Sequence, residues 1–377
     1  MDKTQRMLAT AKIKVLIVDD TIVYRKIVSD VLAEIPFIEV VGSAHNGKAA
    51  LARIATLRPD LLTLDIEMPE MNGIKVLEEL QRRGSNVGAV MLSTLTSEGG
   101  ELTMKALELG AFDFITKPSA GTITENRQAI KDALTPILKG FMRSHSIHSI
   151  LFGKASAKTF KNLVPTPTPS KPIDQPHRVR KPAIIKSRSE IVAIGISTGG
   201  PKALAEMLPK IPNNVGVPIL IVQHMPPVFT QSLANSLNIK CQIQIKEAVH
   251  GESIEPNIAY IAPGGKHMKI EAGSNGKNRV IKITDDPPEN SCKPSVDYLF
   301  RSVADHYVGR ATGVIMTGMG SDGTKGLQRL KESGATIIAQ NEATCVVYGM
   351  PKIPIESGLA DIVAPLNHIA SEIIKTI

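Results

Sequence analysis

Two parts of the chain alternate short apolar runs with stretches of helical periodicity. Between residues 12 and 140 the runs KVLIVDD, IEVVGSA, PDLLTLDI, VGAVMLST and AFDFITKP are separated by IVYRKIVSDVLAEI, KAALARIATL, IKVLEELQRR and LTMKALELG, and RQAIKDALTPIL closes the unit. Brief apolar runs predict buried strands, and apolar residues three and four apart predict helices. Strands that alternate with helices pair in parallel, because parallel neighbours need a crossover between them. The first part is therefore expected to be an α/β domain with a doubly wound, five-stranded parallel sheet. A second rhythm starts at residue 189: EIVAIGIS, VPILIVQH, NIAYIAPGG, ATGVIMTG and ATIIAQ as strands, PKALAEMLPKI and KGLQRLKESG as helices. It predicts another doubly wound parallel-sheet α/β domain over 189–377. Folds of this kind carry their chemistry beyond the carboxyl ends of the strands.

Charge separates these two domains. The net charge is +8, but residues 141–188 alone contribute +9, and six prolines lie between Pro165 and Pro182. Such a segment buries too little apolar surface to order itself, so a basic, Pro-rich, flexible linker is expected over 141–188. The basicity belongs to that linker and not to a folded surface. With no helix-turn-helix or zinc-finger pattern beside it, nucleic acid is not an expected partner. No apolar run approaches the roughly 18 residues needed to cross a bilayer, which excludes membrane insertion. Cys241, Cys292 and Cys345 form no CxxC pair, which argues against a disulfide framework or structural zinc. The expected compartment is the cytoplasm.

The strand ends of the first domain hold a concentrated set of side chains. Strand one ends in Asp19 and Asp20, strand three in Asp65, strand four in Ser93, strand five in Lys117. Carboxylates crowded at one rim stay ionised only beside a cation, and a hard oxygen site with open positions suits Mg²⁺. A hydroxyl and an ammonium opposite would bind the oxygens of a phosphoryl group carried by Asp65. VLIVDDT, LLTLDIEMPEMNGIKVLEEL, MLSTLT and DFITKP resemble the receiver domain of two-component response regulators over about 125 residues. The resemblance implies that Asp65 is the phosphorylation site, that Asp19, Asp20 and Asp65 are the metal pocket, and that Ser93 and Lys117 are the switch hydroxyl and phosphate-binding lysine. It also places the family's cis-proline site at Pro118 and its switch aromatic at Phe114, a Phe with no hydroxyl to hydrogen-bond.

In the second domain the first strand runs into Gly195-Ile196-Ser197-Thr198-Gly199-Gly200-Pro201. A Ser among glycines at a strand-to-helix turn resembles a nucleophile elbow, whose small neighbours permit a strained turn. The free N–H groups of the following helix suit an oxyanion, and by the same physics a glycine-rich phosphate-binding loop. The base is expected at His224, at the end of VPILIVQ. His250 and His306 fall in polar stretches, and His267 is a loop residue able to line a pocket. Asp322, in VIMTGMGSDG, is the expected orienting acid. The order Ser197, His224, Asp322 differs from that of the α/β-hydrolases, but triads are defined by geometry.

GISTGGP, IVQHMP, YIAPGGKHM, KPSVDYLF, TGMGSDG and AQNEATCVVYGMP are together similar to the catalytic domain of chemotaxis protein-glutamate methylesterases, across residues 189–377. The resemblance implies catalytic Ser197, His224 and Asp322, a backbone oxyanion contribution at Met319, and Thr198 as an active-site neighbour. It implies hydrolysis of glutamyl methyl esters on chemoreceptor cytoplasmic domains, deamidation of certain receptor glutamines, and a chemotaxis-type histidine kinase as phosphodonor. No cofactor is expected at the hydrolase site. Ser321 stands where the family usually has Asn. Two other readings stay open at this stage: an esterase of this family in another signalling pathway, and a non-catalytic output module.

Overall fold

The computed structural model of the chain describes residues 12–118, 120–152, 188–273, 276 and 278–377. Most of the expected Pro-rich linker lies outside them.

The first domain runs β1 (Ile13–Val18), α1 (Ile22–Ala33), β2 (Ile38–Ala44), α2 (Gly47–Leu57), β3 (Leu61–Asp65), α3 (Gly73–Arg82), β4 (Gly88–Ser93), α4 (Ser97–Glu108), β5 (Asp113–Thr116) and α5 (Ile123–Phe152). Its strands form one sheet in the order β2-β1-β3-β4-β5, all parallel. Helices cover both faces, so β3 is buried at all five residues, as a central parallel strand must be. Polar side chains start the helices: Asn46, Asn72 and Thr96 each accept a backbone N–H three residues on, satisfying donors that the helix leaves free. Gly73 allows the start of α3 to approach the phospho-acceptor strand, since a Cβ there would lie 2.3 Å from the Asp65 carbonyl oxygen. The last helix carries Pro136 within it and continues beyond residue 140 to Phe152.

The second domain contains β6 (Ile191–Ile196), α6 (Gly200–Met207), β7 (Ile219–Gln223), α7 (Phe229–Lys240), β8 (Gln244–Glu247), β9 (Ile258–Ile261), β10 (His267–Ala272), β11 (Arg279–Thr284), α8 (Val296–His306), β12 (Ala311–Ile315), α9 (Thr324–Glu332), β13 (Thr336–Gln340), α10 (Lys352–Glu356), β14 (Ile362–Ala364) and α11 (Leu366–Thr376). Seven parallel strands are ordered β14-β13-β12-β6-β7-β9-β8. The chain fills the sheet to one side of β6 and then returns through β12 to fill the other. β12, β6 and β7 therefore lie side by side at the point where the winding reverses, the place where open α/β sheets hold their ligands. The β10–β11 pair is a separate antiparallel ribbon that the parallel-sheet expectation did not include.

The two domains share one apolar cluster. It includes Met104, Leu107 and Phe114 of the first and Phe229, Leu233 and Leu237 of the second. The Phe114 and Phe229 rings stack with centroids 4.7 Å apart and planes 28° from parallel. Gly100 of α4 lets α7 come close: a Cβ would sit 2.6 Å from Ser232 Oγ. At the rim the Glu108 carboxylate accepts from Ser236 Oγ at 2.7 Å and pairs with Lys240.

Candidate active site

Asp322 follows β12, where Gly323 turns the chain at φ 94° into α9. Only 2% of its surface is exposed. One carboxylate oxygen accepts from Asn290 Nδ2 (2.9 Å), Ser295 Oγ (2.9 Å) and the Asp297 N–H (3.2 Å). The other accepts from the Val296 N–H at 2.7 Å. Ser295 is the cap of α8, so Asp322 sits on a helix N-terminus, whose free N–H groups and dipole favour an anion. Burial alone would raise its pKa; the imidazole of His224 and these donors instead hold it far below the usual carboxylate range.

His224 leaves the end of β7, its N–H bonded to the Ile196 carbonyl at 3.2 Å. Its Nε2 lies 2.9 Å from Asp322 Oδ2. That contact commits Nε2 and leaves Nδ1 as the nitrogen open to the cleft, where Cys292 Sγ stands 3.7 Å away. Burial pushes the imidazole pKa down, but Asp322 and Cys292 outweigh it and raise it to about 9.

Ser197 follows β6. Its N–H donates to the Thr317 carbonyl (3.0 Å), and its carbonyl accepts from the Gly200 N–H (2.7 Å) and Gln223 Nε2 (3.0 Å). The left-handed residue of this turn is Gly199, at φ 76°. A glycine two residues on thus takes the left-handed conformation without steric cost, as the expectation of small residues flanking the turn requires. Ser197, Thr198, His224, Cys292 and Met319 line one cleft of about 660 Å³. In this conformation Asp322 and Cys292, and not the Ser197 hydroxyl, hold the imidazole. Such contacts commonly tighten only when substrate binds.

The other wall of the cleft is the first domain, through residues that include Asp113, Phe114, Pro136 and Ile137. Burial pushes the Asp113 carboxyl up to about 7, although hydrogen bonds from the Phe114 N–H and the Thr198 hydroxyl oppose the rise.

His267 is not a pocket residue. It begins β10, is fully buried, stacks on Tyr298 at 4.5 Å, and has both ring nitrogens bonded to backbone, at Pro287 and Ser295. Asn290, Cys292, Ser295 and Asp113 were not singled out from the sequence. Ser295 lies within KPSVDYLF and could have been found as a helix cap; the turn carrying Asn290 and Cys292 has no periodic signal.

At the strand ends of the first domain, Asp19 and Asp65 are buried and Asp20 is exposed, with carboxylate oxygens within 4.8 Å of one another. Lys117 Nζ lies 2.7 Å from an oxygen of both Asp19 and Asp65, and over the Tyr24 ring. Burial raises the Asp65 pKa to about 6 against the pull of Lys117. Three carboxylates against one ammonium leave an excess of negative charge on hard oxygen donors, a set that fits Mg²⁺. Ser93 Oγ donates to the Gly99 carbonyl (3.2 Å) and accepts from Thr103 Oγ1 (2.8 Å), both in α4. Among the described residues the cis peptide precedes Pro294, which corrects the expectation of one at Pro118.

A family model described as response regulator receiver domain matches residues 15–129, and one described as CheB methylesterase matches 192–373. The chain is 61% identical over 366 residues to a protein-glutamate methylesterase/protein-glutamine glutaminase of Desulfotalea psychrophila, covering 97% of this chain and 98% of that protein. It is 42% identical to the Bacillus subtilis protein of the same name, covering 96% and 97%. The crystal structure of the Thermotoga maritima CheB methylesterase catalytic domain matches at 41% identity and a TM-score of 0.49, covering 51% of this chain and 100% of that one. With both domains matched in order and relatives aligned nearly end to end, this chain belongs to the protein-glutamate methylesterase/protein-glutamine glutaminase family, a receiver domain joined to a CheB methylesterase domain.

Proposed function

We propose that the chain hydrolyses glutamyl methyl esters of chemoreceptors, deamidates specific receptor glutamines, and does so under the control of phosphorylation at Asp65. The observation that carries the catalytic assignment is the set of three adjacent strand ends. β12, β6 and β7 bring Asp322, Ser197 and His224 to one rim, with the imidazole fixed on a buried carboxylate at 2.9 Å.

Ser197 Oγ attacks the acyl carbon as its proton passes to His224. The receiving atom is Nδ1 of the neutral imidazole, because Nε2 is committed to Asp322. Asp322 stabilises the imidazolium that forms. The oxyanion is met by the backbone N–H of Met319. The start of α6 does not supply the donors expected there, since the Gly200 N–H is taken by the Ser197 carbonyl and Pro201 has none. His224 then protonates the leaving methanol or ammonia, and water releases the acyl enzyme by the reverse steps. One acyl carbon serves both reactions, and the ester reacts faster because methanol leaves more readily.

Asp65 is the phosphoryl acceptor, with a chemotaxis-type histidine kinase as donor. When bound by Asp19, Asp20 and Asp65, Mg²⁺ supplies charge neutralisation for the incoming phosphoryl oxygens. Lys117 and Ser93 then bind those oxygens, and Ser93 must leave its partners on α4 to do so. Since α4 packs on α6 and α7, this couples the acceptor site to the cover over the cleft. We place the chain in the cytoplasm, where these partners reside; no helix among the described residues is long and apolar enough to cross a membrane.

Methanol release from methylated receptor fragments tests the reading. Ser197→Ala is expected to lose about a thousandfold or more of the rate. Wild type is expected to accelerate with Mg²⁺ and a small phosphodonor, and Asp65→Ala to remain unresponsive. Unchanged release by Ser197→Ala would remove Ser197 from the reaction.

A further inference from the structure

The cysteine beside the catalytic base has no part in the hydrolysis described above. The geometry points to a site for a soft divalent cation, Zn²⁺ foremost, formed by His224 Nδ1 and Cys292 Sγ, whose occupation stops the hydrolase. The two donor atoms are 3.7 Å apart. On a tetrahedral zinc with Zn–S about 2.3 Å and Zn–N about 2.05 Å, sulfur and nitrogen lie about 3.6 Å apart. The donors are therefore already near the separation that the ion needs.

The imidazole is also prepared as a ligand. Its Nε2 lies 2.9 Å from Asp322 Oδ2, so Nδ1 is the nitrogen that faces the thiol and offers its lone pair to a metal on losing its proton. A carboxylate behind the histidine is the usual outer support of a metal-bound imidazole. Asp322 serves in that supporting role, since its oxygens already take Asn290, Ser295 and two backbone N–H groups. Cys292 is fixed by the turn before it, where Asn290 and Ser291 both lie in the left-handed region at φ 51° and 61°, and Glu289 pairs with Cys292 through reciprocal backbone hydrogen bonds of 3.1 and 2.8 Å. A nitrogen–thiolate pair selects zinc over Mg²⁺, which the all-oxygen receiver site takes instead. Water from the cleft, which His224 and Cys292 both line, would complete the coordination.

Binding replaces the thiol proton by a sulfur–zinc bond and the Nδ1 proton of the imidazolium by a nitrogen–zinc bond, and releases both protons to solvent. It also occupies Nδ1, the nitrogen that must receive the Ser197 proton. The inhibition rests on the triad reading; the binding does not.

The test uses the full chain with saturating Mg²⁺ to fill the receiver site. Co²⁺ as a zinc probe is expected to give a thiolate-to-metal charge-transfer band in wild type and in Cys241→Ala, and none in Cys292→Ala or Cys292→Ser. Zn²⁺ is expected to shield Cys292 of the wild-type chain from alkylation, read by peptide mass. In the ester assay, half-inhibition by Zn²⁺ is expected to need at least tenfold more metal in Cys292→Ala than in wild type, each scaled to its own metal-free rate. A wild-type chain with no thiolate band and an unshielded Cys292 overturns the site. Equal inhibition of wild type and Cys292→Ala overturns the inhibitory role. If the triad reading fails, the band and the shielding still decide the binding.

Discussion

Asn290 supports the proposed active site without a part in the proposed chemistry. Its amide donates to Asp322 at 2.9 Å and to Asp297 at 3.0 Å, so it stands between two buried carboxylates. Burial and the nearby Asp322 charge raise the pKa of Asp297, while the Gly326 N–H and Asn290 oppose the rise. A hydrogen bond to a buried charge contributes roughly 1.5–3 kcal/mol. Asn290→Gly keeps the left-handed backbone and removes the donor. It is expected to lower the methanol-release rate by about ten- to a hundredfold with an unchanged far-UV spectrum; an unaltered rate would show that Asp322 does not need it. Ser197 and His224 stood out in the sequence because each directly follows an apolar strand, and Asp322 because it closes the glycine-rich turn after one. Asn290 and Cys292 did not, because a left-handed turn between a ribbon and a helix leaves no hydrophobic period to read.

At the level of elements, the strands and helices of the first sheet and the five inner strands of the second followed from hydrophobic spacing, since buried parallel strands are near-continuous apolar runs, whereas α7, α8, α10 and α11 were not read. β8 and β14 were missed: QIKE and IVA are short edge segments with too few buried residues to stand out. The ribbon of β10 and β11 alternates apolar and polar residues, but lies among loops richer in Pro and Gly. The contact between α4–β5 and α6–α7 was illegible for another reason. An apolar residue that faces a second domain has the same composition as one that faces its own core. Phe114 is such a residue, read from sequence only as a switch aromatic and found stacked on Phe229. An aromatic pair contributes about 0.5–1.5 kcal/mol beyond the area it buries. Phe114→Ala is therefore expected to raise the unphosphorylated esterase rate several-fold and to shrink the response to phosphodonor by a similar factor.

For the whole molecule, the half-buried Asp113 carboxyl is expected to make the closed arrangement sensitive to pH. Docked against the cleft, its carboxyl is raised to about 7; undocked, it returns toward the ordinary value near 4. The docked form thus binds the proton more tightly. Its advantage is complete below about pH 4 and is lost as pH rises through about 7. Asp113→Asn stays neutral and should dock equally at every pH. The ratio of basal rates, wild type over Asp113→Asn, is expected to climb between about pH 4 and 7 and then level off; a flat ratio would show that the carboxyl is not buried by docking.

The apolar cluster that runs from Met104 to Leu237 has a consequence for endurance. A domain that borrows part of its interior from a neighbour cannot melt alone, so the resting chain resists heat as one body. On the proposed switch, activation would part the domains and carry that shared interior into water, where hydrophobic burial no longer supports either half. The working state of the enzyme is therefore expected to be the more perishable one, with a lower melting temperature after phosphodonor and Mg²⁺ than at rest.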